Sequence, residues 1–181
     1  MRKLILLPLV LAVICGVAAG ALTWVESVTG GAIEARAVEA RQAALRVVLP
    51  DATTFVDRSD DPALAEDPNV LEVNQGERDG QPVGLVFLVS TTGYGGSVQV
   101  LVGVDAAGSL SALKVMSAAG ETAGLGTRIT EPWFQEQFAG KSGSLQFGPG
   151  LDSLTGATIS ARAVLNAANI ALKAFPLLWG R

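Results

Sequence analysis

Ser97-Val98-Gln99-Val100-Leu101-Val102-Gly103-Val104-Asp105-Ala106-Ala107-Gly108-Ser109-Leu110-Ser111-Ala112-Leu113-Lys114-Val115-Met116 is the stretch that decides the fold. Val98, Val100, Val102 and Val104 recur at every second position, which is the period of a strand with one face buried. Asp105-Ala106-Ala107-Gly108 has the chemistry of a hairpin turn, and Leu110 to Met116 reads as the returning strand. On the N-terminal side, Val83 to Val89 is a second strand and Val70 to Val73 a short one, with a turn-rich stretch from Gly76 to Pro82 between them. Residues 57–68 hold four Asp, one Glu and two Pro and read as a polar loop. On the C-terminal side, a helix is expected from about Ser160 to Phe175, stopped by Pro176. An earlier helix is expected over Ile33 to Leu49, with Ile33, Ala37, Ala40, Ala44 and Val48 as its apolar stripe and Pro50 marking its end. Strands followed by a terminal helix predict an α+β domain with a mainly antiparallel sheet flanked by helices.

Arg2 and Lys3 precede an uncharged run from Leu4 to Val25, 22 residues long and broken by Glu26. A helix of that length reaches ~33 Å, enough for a hydrocarbon layer of ~30 Å. The sequence therefore predicts an N-terminal transmembrane helix, with anchor 1–28, connecting helix 29–50 and folded domain 51–181. Arg2 and Lys3 favour the inner side, although Arg36 and Arg41 dilute the bias. With few residues before the span, the body is expected on the outer, periplasmic face of the inner (cytoplasmic) membrane as a single-pass protein. Cleavage is an open alternative, because Leu4 to Val17 could be a signal core followed by Ala19-Gly20-Ala21. Bulky Ile14 before Cys15 argues against a lipoprotein site, so Cys15 reads as a lipid-facing or packing residue. Either way the body is exported.

Composition removes whole classes of chemistry. The chain has 49% hydrophobic and 17% charged residues, too apolar for disorder. A net charge of −4 and no basic cluster give no case for nucleic acid. Without histidine there is no Ser-His-Asp triad and no histidine base. A single cysteine permits no internal disulfide, CxxC clip or cysteine-held iron–sulfur cluster. No metal site and no acid–base catalytic set is expected, so any redox chemistry needs a bound organic cofactor.

Asp152-Ser153-Leu154-Thr155-Gly156-Ala157-Thr158 stands where a loop enters the last helix. Thr158 offers a hydroxyl there, left sterically open by Gly156 and Ala157. Either Thr158 or Ser160 could cap the helix, whose free N–H groups and dipole favour a phosphate. An ordinary helix cap after a glycine turn is the plainer reading of these residues. Two other segments stand out: Gly93-Tyr94-Gly95-Gly96, otherwise a hairpin connection, and Glu121-Thr122-Ala123-Gly124-Leu125-Gly126-Thr127, otherwise a glycine turn. Trp133, Phe134 and Phe138 have helical spacing and read as core.

Together these segments resemble the covalent FMN-binding domains of the G subunit of Rnf complexes and of the related C subunit of Na+-translocating NADH:quinone reductases. Asp152 to Thr158 is similar to their flavin-attachment signal, and Gly93 to Gly96, Glu121 to Thr127 and Phe138-Ala139-Gly140-Lys141 follow in the family's order. The resemblance covers roughly residues 1–175. One departure is Ala123, where the family has proline.

The resemblance implies FMN held by a phosphoester on Thr158, placed there from FAD by a flavin transferase that recognises Asp152. It also implies cofactor contacts from Tyr94, Glu121, Thr122, Gly124, Leu125, Gly126, Thr127, Thr155, Gly156 and Ala157, with the two loop glycines allowing close backbone approach. The implied function is electron carriage in a membrane-bound, redox-driven ion-translocating complex. The implied partners are the other components of that complex, the transferase during maturation and the lipid bilayer. The G-type chain is preferred to the C-type chain on length. A free-standing flavinylated carrier for a reductase and a non-redox exported scaffold are the alternatives.

Overall fold

The computed structural model describes residues 2–61 and 67–180, and within the long first helix the side chains of 11–24, 26 and 38 onward. The chain divides into two compact units, Met1–Gln42 and Ala43–Arg181.

In the first unit the backbone is helical from Arg2 onward, as part of α1 (Arg2–Val48). Its described apolar side chains include Leu11, Val13, Ile14, Val17, Leu22 and Trp24, all exposed, and Cys15 is exposed as well. Thr23 satisfies its hydroxyl within the helix by donating to the Ala19 carbonyl at 3.0 Å. Among the described residues no helix is long and apolar enough to cross a membrane. The span expected over Leu4 to Val25 falls in part on side chains outside the described residues, as do Ile33 and Ala37 of the expected stripe. Of the remaining stripe residues Ala40 is exposed, whereas Ala44 and Val48 are buried. The helix ends at Val48, two residues before Pro50, where the sequence places its stop.

The second unit is built on a five-stranded antiparallel sheet in the order β1-β2-β3-β4-β5. The strands are β1 (Thr54–Asp57), β2 (Val70–Arg78), β3 (Gln81–Thr92), β4 (Ser97–Asp105) and β5 (Leu110–Ser117). After the sheet come a 3-10 turn (Gly126–Thr130), a short α2 (Pro132–Glu136) and α3 (Thr158–Leu178). The valines at 98, 100, 102 and 104 are all buried in one cluster with Leu85, Phe87 and Val89 of β3 and the Ala163, Val164, Ala167 and Ala171 stripe of α3. Alternation thus becomes a layer: one sheet face covered by α3, whose small residues allow close approach.

The opposite face buries Val86 and Leu101 against Ala44, Leu45, Val48 and Leu49. Three glycines make that approach possible. A Cβ at Gly103 would run into the Val48 carbonyl, and one at Gly76 or Gly84 would come to 3.0 Å or closer of the Leu49 side chain. The Gly103/Val104 step is also a register shift against β5.

Several boundaries differ from the expectation. β1 has no counterpart in the sequence reading; it is short and mostly exposed, so its sequence lacks a buried alternation. The stretch Gly76 to Pro82 is mostly strand, and the turn shrinks to Asp79-Gly80, both at positive φ (53° and 75°). Of the polar loop read over 57–68, Asp57 ends β1, 58–61 and 67–68 lie outside the strands, and 62–66 lie outside the described residues. The last helix starts at Thr158 and runs through Pro176 to Leu178. Pro176 removes one N–H near the helix end, while buried Phe175 and Leu178 and the stack of Phe175 on Trp179 at 5.1 Å hold the last turn. Phe134 and Phe138 are buried, edge to face at 5.6 Å, as read from their spacing; Trp133 is half exposed.

Candidate functional site

The N-terminus of α3 is positioned from below. Thr91, at the end of β3, buries its hydroxyl and donates to the Ala163 carbonyl at 2.9 Å, tying sheet to helix. A net contribution of ~1 kcal/mol is ordinary for such a bond; its greater use here is to fix the helix axially. From the side, the approach to α3 is held by buried Leu151 and Leu154 and by a β-turn that Ala157 N–H closes on the Leu154 carbonyl at 3.1 Å. Gly156 sits in that turn at φ 82°, a conformation glycine adopts without strain. Gln137 clamps the segment further. Its amide oxygen accepts from Asp152 N–H at 2.6 Å and its amide nitrogen donates to the Asp152 carbonyl at 3.0 Å.

At the mouth of this helix lies a cleft of about 430 Å³ lined by Tyr94, Glu121, Thr122, Leu125, Gly126, Gly156, Ala157, Thr158, Ile159 and Ser160. Segments far apart in sequence meet there: the turn after β3, the loop after β5 and the start of α3. Of the residues singled out from sequence, eight line the cleft: Tyr94, Glu121, Thr122, Leu125, Gly126, Gly156, Ala157 and Thr158. Gly124, Thr127, Thr155 and Asp152 do not line it. Thr127 instead accepts from Gly124 N–H on its hydroxyl at 3.0 Å, closing the loop on itself. Thr155 and Asp152 are exposed. Ile159 escapes the sequence reading; an exposed isoleucine at helix position two carries no periodic signal of its own.

Thr158 is exposed at the first residue of α3. The cap position is Ala157, with no side-chain capping bond. The expected cap by Thr158 or Ser160 is therefore corrected, and the reason is geometric. Both lie inside the helix rather than before it, and the Ser160 hydroxyl is turned away to donate to Glu121 Oε2 at 2.5 Å. Among the described residues nothing hydrogen-bonds the Thr158 hydroxyl. An uncapped first turn leaves its backbone N–H donors without a side-chain cap at a helix start that lines the cleft, with the positive end of the helix dipole there.

Glu121 is buried, 8% exposed. Its Oε1 accepts from Tyr94 N–H at 2.8 Å while Oε2 accepts from Ser160. Tyr94, Leu125 and Ile159 expose large side chains around the opening, 70%, 43% and 54% accessible. The site thus combines apolar walls, an anion-receptive helix end and a free hydroxyl. Among the described residues there is no metal-binding cluster.

Residues 93–173 match the FMN-binding domain family. The G subunit of the Na(+)-translocating ferredoxin:NAD(+) oxidoreductase complex of Acetobacterium woodii is 34% identical, covering 93% of this chain and 90% of its own. The G subunits of the ion-translocating oxidoreductase complexes of Cereibacter sphaeroides and Methanosarcina acetivorans are 35% and 31% identical, over 81% and 88% of this chain and 73% and 88% of their own lengths. The crystal structure of Shewanella oneidensis NqrC matches with a TM-score of 0.49 at 20% identity, over 61% of each chain.

Proposed function

The chain belongs to the G-subunit family of ion-translocating oxidoreductase complexes, and on that premise we propose that it is an electron-carrying flavoprotein with FMN esterified to Thr158. The observation that carries the reading is the Thr158 hydroxyl, exposed and unpartnered among the described residues, on an uncapped helix end that opens into the cleft.

The residues present fit the group. A volume of about 430 Å³ lies within the ~300–1,000 Å³ usual for small-molecule sites. Leu125, Ile159 and Tyr94 offer apolar faces suited to a flat ring system, and the first-turn N–H groups suit its phosphate. When bound, FMN supplies the redox chemistry, and the protein supplies placement and electrostatics. In attachment, Thr158 Oγ1 loses its proton and takes the flavin-bearing phosphate of FAD, with AMP as leaving group; no electrons change hands. An ester bond then keeps the cofactor at the site without depending on free flavin, at high local concentration near its partners. Exposed Asp152, its backbone held by Gln137, is suited to recognition by the flavin transferase.

The same reading takes residues 1–28 as a single-pass anchor in the inner membrane, 29–50 as connecting helix and 51–181 as the FMN domain on the outer face. Its support is the run of exposed apolar side chains from Leu11 to Trp24, which in water would be an unusually large apolar patch. Trp24 falls at the end of the run, where an aromatic ring suits a membrane interface. Within the assembly the chain relays electrons between other components that drive ion movement.

The test is the intact mass of the full chain made with a flavin-transferring enzyme and extracted from membranes. One FMN less one water should be added to the polypeptide, and in-gel flavin fluorescence should vanish in Thr158→Ala. An unmodified wild-type mass, or label surviving in Thr158→Ala, would reject the reading; a mass lacking the N-terminal segment would remove the anchor.

A further inference from the structure

Glu121 is a buried carboxylate with no cation paired to it among the described residues. Burying such a charge is costly unless hydrogen bonds compensate, so its presence calls for a reason. Its two oxygens take their bonds from different parts of the chain: Oε1 from Tyr94 N–H in the turn after β3, Oε2 from the Ser160 hydroxyl in the first turn of α3. Space for the carboxylate is provided by two glycines. A Cβ on Gly93 or on Gly126 would come within 3 Å of it. The backbones of Gly95 and Gly120 cross so closely beside it that neither tolerates a Cβ. Three segments thus converge on one side chain.

We propose that Glu121 is the positioning residue of the attachment site, locking the first turn of α3 to the Gly93–Gly96 turn so that the Thr158 hydroxyl is held out for modification. Ser160 is two residues beyond Thr158 in the same turn, so fixing one fixes the rotation of the other. The bond has a second effect. Serine readily bonds to free backbone N–H groups near a helix start, and engaging its hydroxyl on Glu121 leaves those donors open for a phosphate. Glu121 lines the cleft, and the role proposed here is exerted through its hydrogen bonds to Tyr94 N–H and the Ser160 hydroxyl. Glutamine can reproduce them, its oxygen accepting from Tyr94 N–H and its nitrogen donating to a rotated Ser160 hydroxyl. The inference rests on the reading of Thr158 as flavin acceptor.

The experiment uses the full chain without flavin, treated with a flavin-transferring enzyme and FAD, alongside Glu121→Ala, Glu121→Gln and Ser160→Ala. Two quantities are read: kcat/KM for loading per folded chain, and amide hydrogen exchange in 93–96 and 158–162. Losing bonds to a charged acceptor should raise exchange in both segments and lower loading about tenfold or more in Glu121→Ala. Glu121→Gln should stay within about threefold of wild type, and Ser160→Ala should fall between them and disturb the helix start more than the turn. Wild-type loading in Glu121→Ala, or a Glu121→Gln chain as impaired as Glu121→Ala with exchange unchanged, would overturn the proposal. Should Glu121→Ala not fold, unchanged exchange and loading in Ser160→Ala would do so. A wild-type chain that takes no flavin while exchange responds as stated would remove the Thr158 assignment and leave the brace standing. Unresponsive exchange would remove the brace itself.

Discussion

Replacing each glycine of Gly124-Leu125-Gly126 by alanine should give two different costs for two different reasons. Gly124 has φ 74° and open space where a Cβ would go. Alanine there meets only the left-handed backbone penalty, ~1–2 kcal/mol. Gly126 needs no unusual φ, but a Cβ would lie within 3 Å of Glu121 Oε2 and 3.1 Å from both Glu121 Cβ and Ser160 Oγ. Relief requires the carboxylate to swing away, weakening its bonds to Tyr94 and Ser160. Overpacking costs ~1–3 kcal/mol and a strained charged hydrogen bond ~1.5–3 kcal/mol, partly alternatives to one another, so ~2–4 kcal/mol is expected. The assay is denaturant unfolding of the full chain in detergent followed by near-UV circular dichroism, with flavin loading measured in parallel. Gly124→Ala should leave loading per folded chain unchanged; Gly126→Ala should reduce it. The decisive comparison is Gly126→Ala in a Glu121→Ala background, where its cost should fall to ~1 kcal/mol or less, giving a coupling of at least ~1 kcal/mol. Additive costs would refute the claim that Gly126 exists to admit the carboxylate.

Three further outcomes are expected. Thr155→Ala with Thr158 intact should still carry flavin, because Thr155 lies in the turn before the cleft; peptide mass spectrometry placing the flavin on Thr155 would contradict this. Gln137→Ala removes both bonds to the Asp152 backbone and should slow loading severalfold while costing ~1–2 kcal/mol of stability, read by loading kinetics and thermal unfolding. Asp105→Ala removes the acceptor of Ala107 and Ser109 N–H at 2.9 and 3.0 Å and should cost ~1 kcal/mol by denaturant unfolding without altering loading, since the β4–β5 turn does not line the cleft.

What can be read in the sequence tracks how local the signal is. The valine alternation of β4 and the turn after it depend on residues next to each other, and both survive unchanged in the fold. β1 and the ends of β2 and β3 do not announce themselves, because exposed edge residues carry no alternation and two-residue turns need only Asp79-Gly80. Pro176 misleads for a related reason: its local rule is real, but buried neighbours outweigh one lost hydrogen bond.

At the cleft the segments themselves are legible, whereas their relations are not. In the sequence Glu121 reads as a cofactor contact, and Gly124 and Gly126 as allowing close backbone approach to the flavin. In the fold Glu121 and Gly126 both line the cleft, and Glu121 in addition bonds Tyr94 N–H and the Ser160 hydroxyl while its carboxylate fills the space a Cβ on Gly126 would take. Those pairings span 27 and 39 residues, so no local pattern encodes them. Both oxygens of the acidic residue beside the helix end are occupied by donors, and one of these donors is the Ser160 hydroxyl of the first helical turn. On the proposal above, a buried acid in this loop shapes the anion site through its bonds to Tyr94 and Ser160. Glutamine at 121 should preserve that shape, and leucine, similar in size but without an acceptor, should not.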